Sequence, residues 1–151
     1  MPRYFLDSSA LVKHYHQESG SARIQELFDG PANRFFISRL ALVEVHSTFA
    51  RLVREGVLTK PDLSRLVLRL KDDVASGVLT VAAVSSRRLE GASSILATHG
   101  PSYPVRTLDA IHLATAQALH GRSQIAAFVA ADKSLLVVAA AGCGFAVLDA
   151  G

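Results

Sequence analysis

Five short apolar runs, each set apart from the next by at least one helix-length amphipathic stretch, constrain this chain more than any other feature. The runs cover residues 4–6, 34–37, 78–81, 126–130 and 145–148. Between them, apolar residues recur at helical spacing near 9–16, 21–29, 39–55, 62–75, 86–97, 108–119 and 133–141. None of the gaps is hairpin-sized. Successive strands therefore need crossover connections, and right-handed crossovers generate a mainly parallel sheet covered on both faces. The expected fold class is α/β, a three-layer α/β/α sandwich with about five strands.

At 151 residues the chain reads as one domain, 1–151, long enough to bury roughly two-thirds of its unfolded surface. No internal repeat, low-complexity tract or interdomain linker interrupts it. The single Cys143 excludes an intramolecular disulfide and a multi-cysteine zinc site, and between Gly142 and Gly144 it reads as a small core residue. The longest apolar run, 135–148, contains two glycines and falls short of a membrane span, and no basic segment precedes an apolar stretch at the N-terminus. These features point to a cytoplasmic protein with no membrane partner. The net charge of +3, carried mostly by Arg, permits a nucleic-acid partner and equally permits an ordinary solvated surface.

Several element boundaries are legible. Ser38 is placed to cap the helix near 39–55, and Gly56 to end it. Thr59-Lys60-Pro61-Asp62 combines a cap, an early proline and an acid in the first turn. The helix that follows carries one apolar stripe, Leu63, Leu66, Val67, Leu70 and Val74, which reads as core or as a dimer surface. Thr107 is expected to cap a helix ended by His120-Gly121.

The acids are the candidates for chemistry. Asp7 follows the first strand, and Asp132 ends Val129-Ala130-Ala131-Asp132, so both leave the carboxyl edge of a parallel sheet, where ligands bind in open α/β folds. Each is equally suited to capping the next helix. Asp109 lies in the first turn of its helix, where an acid complements the helix dipole. Glu44 interrupts the apolar segment 40–45 and needs a partner, either Arg39, Arg51 or another cation, or a bound metal. Four carboxylates at one sheet edge repel unless a hard cation neutralises them, and oxygen donors suit Mg²⁺ or Mn²⁺.

The segments Asp7-Ser8-Ser9-Ala10-Leu11-Val12-Lys13, Ser38-Arg39-Leu40-Ala41-Leu42-Val43-Glu44-Val45, Arg106-Thr107-Leu108-Asp109-Ala110-Ile111-His112-Leu113-Ala114-Thr115-Ala116 and Ala131-Asp132-Lys133-Ser134-Leu135 resemble, in order and spacing, the successive motifs of PIN-domain proteins. The chain most resembles the VapC-type toxins of bacterial toxin-antitoxin pairs, over nearly its whole length. The resemblance implies a PIN fold and a Mg²⁺- or Mn²⁺-dependent endoribonuclease. It implies that Asp7, Glu44, Asp109 and Asp132 form the catalytic, metal-holding site, with an RNA substrate, a cognate VapB-like antitoxin and a homodimer. The chain departs from many relatives at Ala130, where they carry a hydroxyl residue, and this implies a secondary role for Asp132.

Around that core, Ser9 is placed to bond Asp7 or to start a helix, and Arg106 to steady a phosphate or to pair with a neighbouring acid. His112, one turn beyond Asp109, reads as a half-buried structural residue. The remaining histidines lack zinc-site spacing. Two rival functions stay open: a non-catalytic module binding RNA or protein, and a phosphatase with an Asp after its first strand. The latter needs a second Asp where this chain has Ser9.

Overall fold

A computed structural model describes residues 1–151, the side chain of Ser123 excepted. Among the described residues five strands, β1 (Arg3–Leu6), β2 (Arg34–Ser38), β3 (Leu79–Ala82), β4 (Ala127–Ala130) and β5 (Val147–Asp149), alternate with seven helices. These are α1 (Ser8–Tyr15), α2 (Ser21–Asp29), α3 (Arg39–Arg54), α4 (Lys60–Ala75), α5 (Ser86–His99), α6 (Thr107–Ser123) and α7 (Lys133–Ala141). The sheet order is β3-β2-β1-β4-β5, and every neighbouring pair is parallel. The expected α/β/α sandwich is what forms.

Side chains alternate across a strand, and this alternation separates the two cores. Phe5, Phe128 and Ala130 face one side, where they pack with residues of α5, α6 and α7. Leu6, Phe35, Ile37 and Val129 face the other, against α1, α2, α3 and α4. Phe5 and Phe128 are fully buried and stacked with ring centroids 5.6 Å apart. Burying each such ring contributes about 1.5–3 kcal/mol, before any specific ring–ring term. Helix α4 contributes less: Leu70 is buried, while Leu63, Leu66, Val67 and Val74 are only partly covered against the α1–α3 side.

The capping residues explain most boundaries. The Ser38 hydroxyl accepts from Ala41 N, and Thr59 and Asp62 form a reciprocal capping box at the start of α4. Helix α6 departs from expectation at both ends. Its cap is Arg106 rather than Thr107, because Asp109 reaches back to the Arg106 backbone N–H. It also runs through Gly121 to Ser123, ending at Gln124 with φ 48°. A helical glycine costs about 1 kcal/mol, less than the buried face of Ala110, Leu113 and Ala116 supplies. Phe145, expected in the last strand, precedes it and fills the core beside Phe128. Cys143 is half-buried against that same core, which raises its thiol pKa.

Strand β1 is central. The chain moves outward from it through β2 and β3, then crosses to β4 and β5 on the other side. The order reverses between β1 and β4, the crevice where open parallel sheets place ligands. No described helix is long and apolar enough to cross a membrane.

Candidate active site

Asp7 stands at that crevice. Its backbone N–H donates to Val129 O at 3.0 Å, which continues the β1–β4 ladder one residue past the strand. Its side chain caps α1, accepting from Ala10 N at 3.0 Å, and accepts the Ser9 hydroxyl at 2.7 Å. Both bonds fall on Oδ1. Ser9 Oγ in turn accepts from Ala131 N at 2.9 Å, tying the turn after β1 to the turn after β4. Asp7 is thus a cap and a crevice residue at once. It is 3% exposed and forms no ion pair among the described residues. Burial is the main reason its carboxyl is pushed up to about 6; the Ser9 and Ala10 bonds and the nearby His112 oppose the rise, and repulsion from Asp109 adds a smaller push.

The other three acids reach the same edge from three helices. Asp109, in the first turn of α6, is largely buried and accepts from Arg106 N at 3.2 Å and Arg106 Nε at 3.4 Å. Asp132 caps α7, accepting from Ser134 N at 2.8 Å and Leu135 N at 3.2 Å on Oδ1. Its Oδ2 lies 3.5 Å from the Arg106 guanidinium, so Arg106 bridges Asp109 and Asp132. Glu44, on α3, pairs with neither Arg39 nor Arg51; Arg51 is taken by Glu55, and the partner of Glu44 is His112 Nε2. Glu44, Arg106, Thr107, Leu108 and Asp109 line a pocket of about 300 Å³. A second, of about 270 Å³, adjoins Asp7 through Ser9 and is lined by Lys13 and Arg51 among others.

The donor set fits a hard divalent cation in chemistry: a buried carboxylate with Oδ2 unbonded, a second acid close enough to repel it, and oxygen donors throughout. The side chains are not drawn into a closed shell. No group of three or more His, Cys, Asp or Glu among the described residues is spaced to hold a metal as it stands; His112 engages one oxygen of Glu44, and Arg106 bridges Asp109 and Asp132.

The family model for the PIN domain matches residues 4–140. The chain belongs to the PIN-domain family. No curated protein sequence matches it. Among solved structures, this PIN domain is similar to VapC20 of Mycobacterium tuberculosis, a sarcin-ricin loop cleaving toxin, at 18% identity and TM-score 0.66, covering 95% of this chain and 96% of that one. It is also similar to DNA-bound VapBC of Salmonella typhimurium, at 15% identity and TM-score 0.65 over the whole of both chains. FitAcB of Neisseria gonorrhoeae matches at 16% identity and TM-score 0.63, with 97% of each chain covered. At these identities the likeness is one of fold.

Two side chains of this PIN domain gain roles that the sequence did not reveal. His112 is 1% exposed rather than half-buried, and both ring nitrogens are engaged, Nε2 with Glu44 and Nδ1 with Ser38 Oγ at 2.9 Å. Ser38 was legible as a cap, but its second partner lies 74 residues away. The only local signal was the one-turn offset between Asp109 and His112, which places both on neighbouring faces of α6.

Proposed function

We propose that this chain is a Mg²⁺- or Mn²⁺-dependent endoribonuclease and the toxin of a toxin-antitoxin pair. The observation that carries the reading is Asp7: a buried carboxylate at the sheet's switch point, lacking an ion-pair partner among the described residues and facing the charge of Asp109. Folding so much negative charge into one crevice is costly unless a cation binds there. The PIN-domain match and the VapC, VapBC and FitAB folds among its structural neighbours support the same assignment.

In this reading Asp7 and Asp109 hold the ion, with Glu44 beside them and Asp132 in a supporting place. Bound there, Mg²⁺ or Mn²⁺ supplies stabilisation of the charge that develops on a phosphoryl group and eases ionisation of the attacking water. Ser9 fixes the Asp7 carboxylate through Oδ1 and leaves Oδ2 to the crevice. Arg106, 76% exposed at its side chain, pairs with acids in the free protein and is suited to take a backbone phosphate when RNA enters. Lys13 and Arg51 line the adjoining pocket, Lys13 paired with Glu18, which lines it too, and Arg51 paired with Glu55. In-line attack by water yields products with 5′-phosphate and 3′-hydroxyl ends. A cognate VapB-like antitoxin, a homodimer and a cytoplasmic setting belong to the same proposal.

The unconverged ligand set favours one alternative, a non-catalytic RNA- or protein-binding module. Incubating a mixed cellular RNA pool with purified protein in Mg²⁺, Mn²⁺ or chelator, beside Asp7→Asn, separates the two. Metal-dependent cuts that vanish in the variant are expected. RNA binding that ignores both chelator and the substitution, with no cleavage, would replace the nuclease with the module.

A further inference from the structure

We infer that His112 is a positioning residue, clamped between Ser38 and Glu44 so that its Nε2–H holds the Glu44 carboxylate in place for the cation; this rests on the metal-nuclease reading. Helix α3 supplies both jaws of the clamp. Ser38 caps its start and Glu44 lies on its second turn, and the imidazole enters between them from α6. Ser38 and His112 are essentially excluded from solvent, and Glu44 is partly open on the pocket side.

The hydrogen bonds set the direction of the relay. An ionised carboxylate has no hydrogen to give, so the proton of the His112–Glu44 bond belongs to Nε2. The Ser38 hydroxyl, 2.9 Å from Nδ1, serves either form of the ring, donating to a bare Nδ1 or accepting from a protonated one. Ser38 Oγ meanwhile accepts from Ala41 N at 3.2 Å, so the helix cap fixes the hydroxyl and the hydroxyl fixes the ring. His112 takes one Glu44 oxygen, Oε1, and leaves Oε2 for the pocket that Asp109 also lines. Since Asp109 and His112 share α6, one turn apart, the ring sets the spacing between carboxylates carried on two different helices. Outer partners that orient ligands in this way typically change metal affinity about 10- to 100-fold when removed.

Gln and Asn divide the function of the ring. A Gln amide nitrogen reaches the place of Nε2 and still donates to Glu44, whereas Asn reaches only the place of Nδ1. Mn²⁺ binding to chelator-stripped protein, read from the loss of free-Mn²⁺ electron paramagnetic resonance signal, is therefore compared for wild type, Asp7→Asn, Glu44→Gln, His112→Gln and His112→Asn. Mn²⁺ affinity is expected to fall about tenfold or more in His112→Asn and to return to within about threefold of wild type in His112→Gln. Long-range ¹H–¹⁵N spectra of the unmodified protein, assigned by the signal lost in His112→Gln, are expected to show Nε2 protonated. This second measurement holds even where His112→Asn fails to fold.

Wild-type affinity in His112→Asn, with affinity lost in Asp7→Asn, would overturn the positioning role and leave the metal site standing. Equal affinity in wild type and Asp7→Asn would overturn the metal site itself, and the role of His112 with it. An unprotonated Nε2 would overturn the relay regardless of metal.

Discussion

Helix α1 carries a polar cluster at each end, and the two are built on opposite terms. At its C-terminal end His14 and Tyr15 meet α4: the Tyr15 hydroxyl donates to Asp73 at 2.7 Å, and Arg69 lies 5.4 Å from the Tyr15 ring centre. Arg69 also approaches His14 Nε2 at 3.3 Å, while His14 stacks on Phe28 with centroids 3.7 Å apart. Burial first, and Arg69 second, lower the His14 pKa to about 4, so the ring is neutral near pH 7 and its 3.6 Å approach to Asp73 is not an ion pair. Asp73 and Arg69 balance each other there. At the N-terminal end Asp7 has no ion-pair partner among the described residues, and burial outweighs the opposing Ser9, Ala10 and His112 contributions to push its carboxyl up to about 6. A seam that only joins helices closes its charge, whereas the crevice keeps charge open for a ligand.

The largest expected effect breaks that comparison at the crevice. Asp7→Asn keeps a competent helix cap but removes the charge, and RNA cleavage in Mn²⁺ should drop about a thousandfold, equivalent to several kcal/mol of transition-state stabilisation. The same variant should be more stable than wild type by about 2 kcal/mol at pH 8 in chelator, measured by urea unfolding. A variant that is equally active and less stable would show that Asp7 serves the fold alone.

The pH dependence of stability sharpens the contrast, because the two ends have opposite signs. The Asp7 pKa is raised from 3.8 to about 6, so between those values the folded protein keeps a proton that the unfolded chain releases, and stability falls as pH rises. The His14 pKa is lowered from 6.5 to about 4, so over that range the unfolded chain binds a proton that the folded one refuses, and stability falls as pH drops. In wild type without metal the trends oppose. Asp7→Asn should expose the His14 trend, a loss of about 1 to 2 kcal/mol on going from pH 6.5 to 4, discounted for partial solvent screening. His14→Phe, which preserves the stack on Phe28, should expose the Asp7 trend, and parallel curves for the two variants would contradict the assignment.

Smaller effects follow at single bonds. Tyr15→Phe removes one hydrogen bond to Asp73 and should cost about 1 kcal/mol in unfolding experiments while leaving cleavage unchanged. Arg106→Ala withdraws an exposed cation from Asp109 and Asp132. Calorimetric Mn²⁺ titration should find binding a few-fold tighter, because the ion no longer competes with the guanidinium. Weaker Mn²⁺ binding in that variant would mean that Arg106 organises the acids instead of occupying them.

What the sequence determined by itself was local or periodic. Short apolar runs separated by helical spacing require parallel strands with crossovers, and Ser38, Thr59 and Asp62 mark helix starts, because those signals act within a few residues of one another. The placement of Asp7 and Asp132 at one sheet edge was legible for the same reason: Asp7 directly follows β1, and Asp132 comes two residues after the end of β4. Tertiary structure decided the rest. Propensity misplaced both ends of α6, since packing of its buried face outweighs a glycine and Asp109 selects Arg106 as the cap. The partner of Glu44 was beyond local inference: several cations were nearby in sequence, but the bond goes to His112, 68 residues away. Solvent exclusion makes that choice, because a fold that buries an imidazole beside a carboxylate must satisfy both, and only the packing of α3 on α6 brings them together.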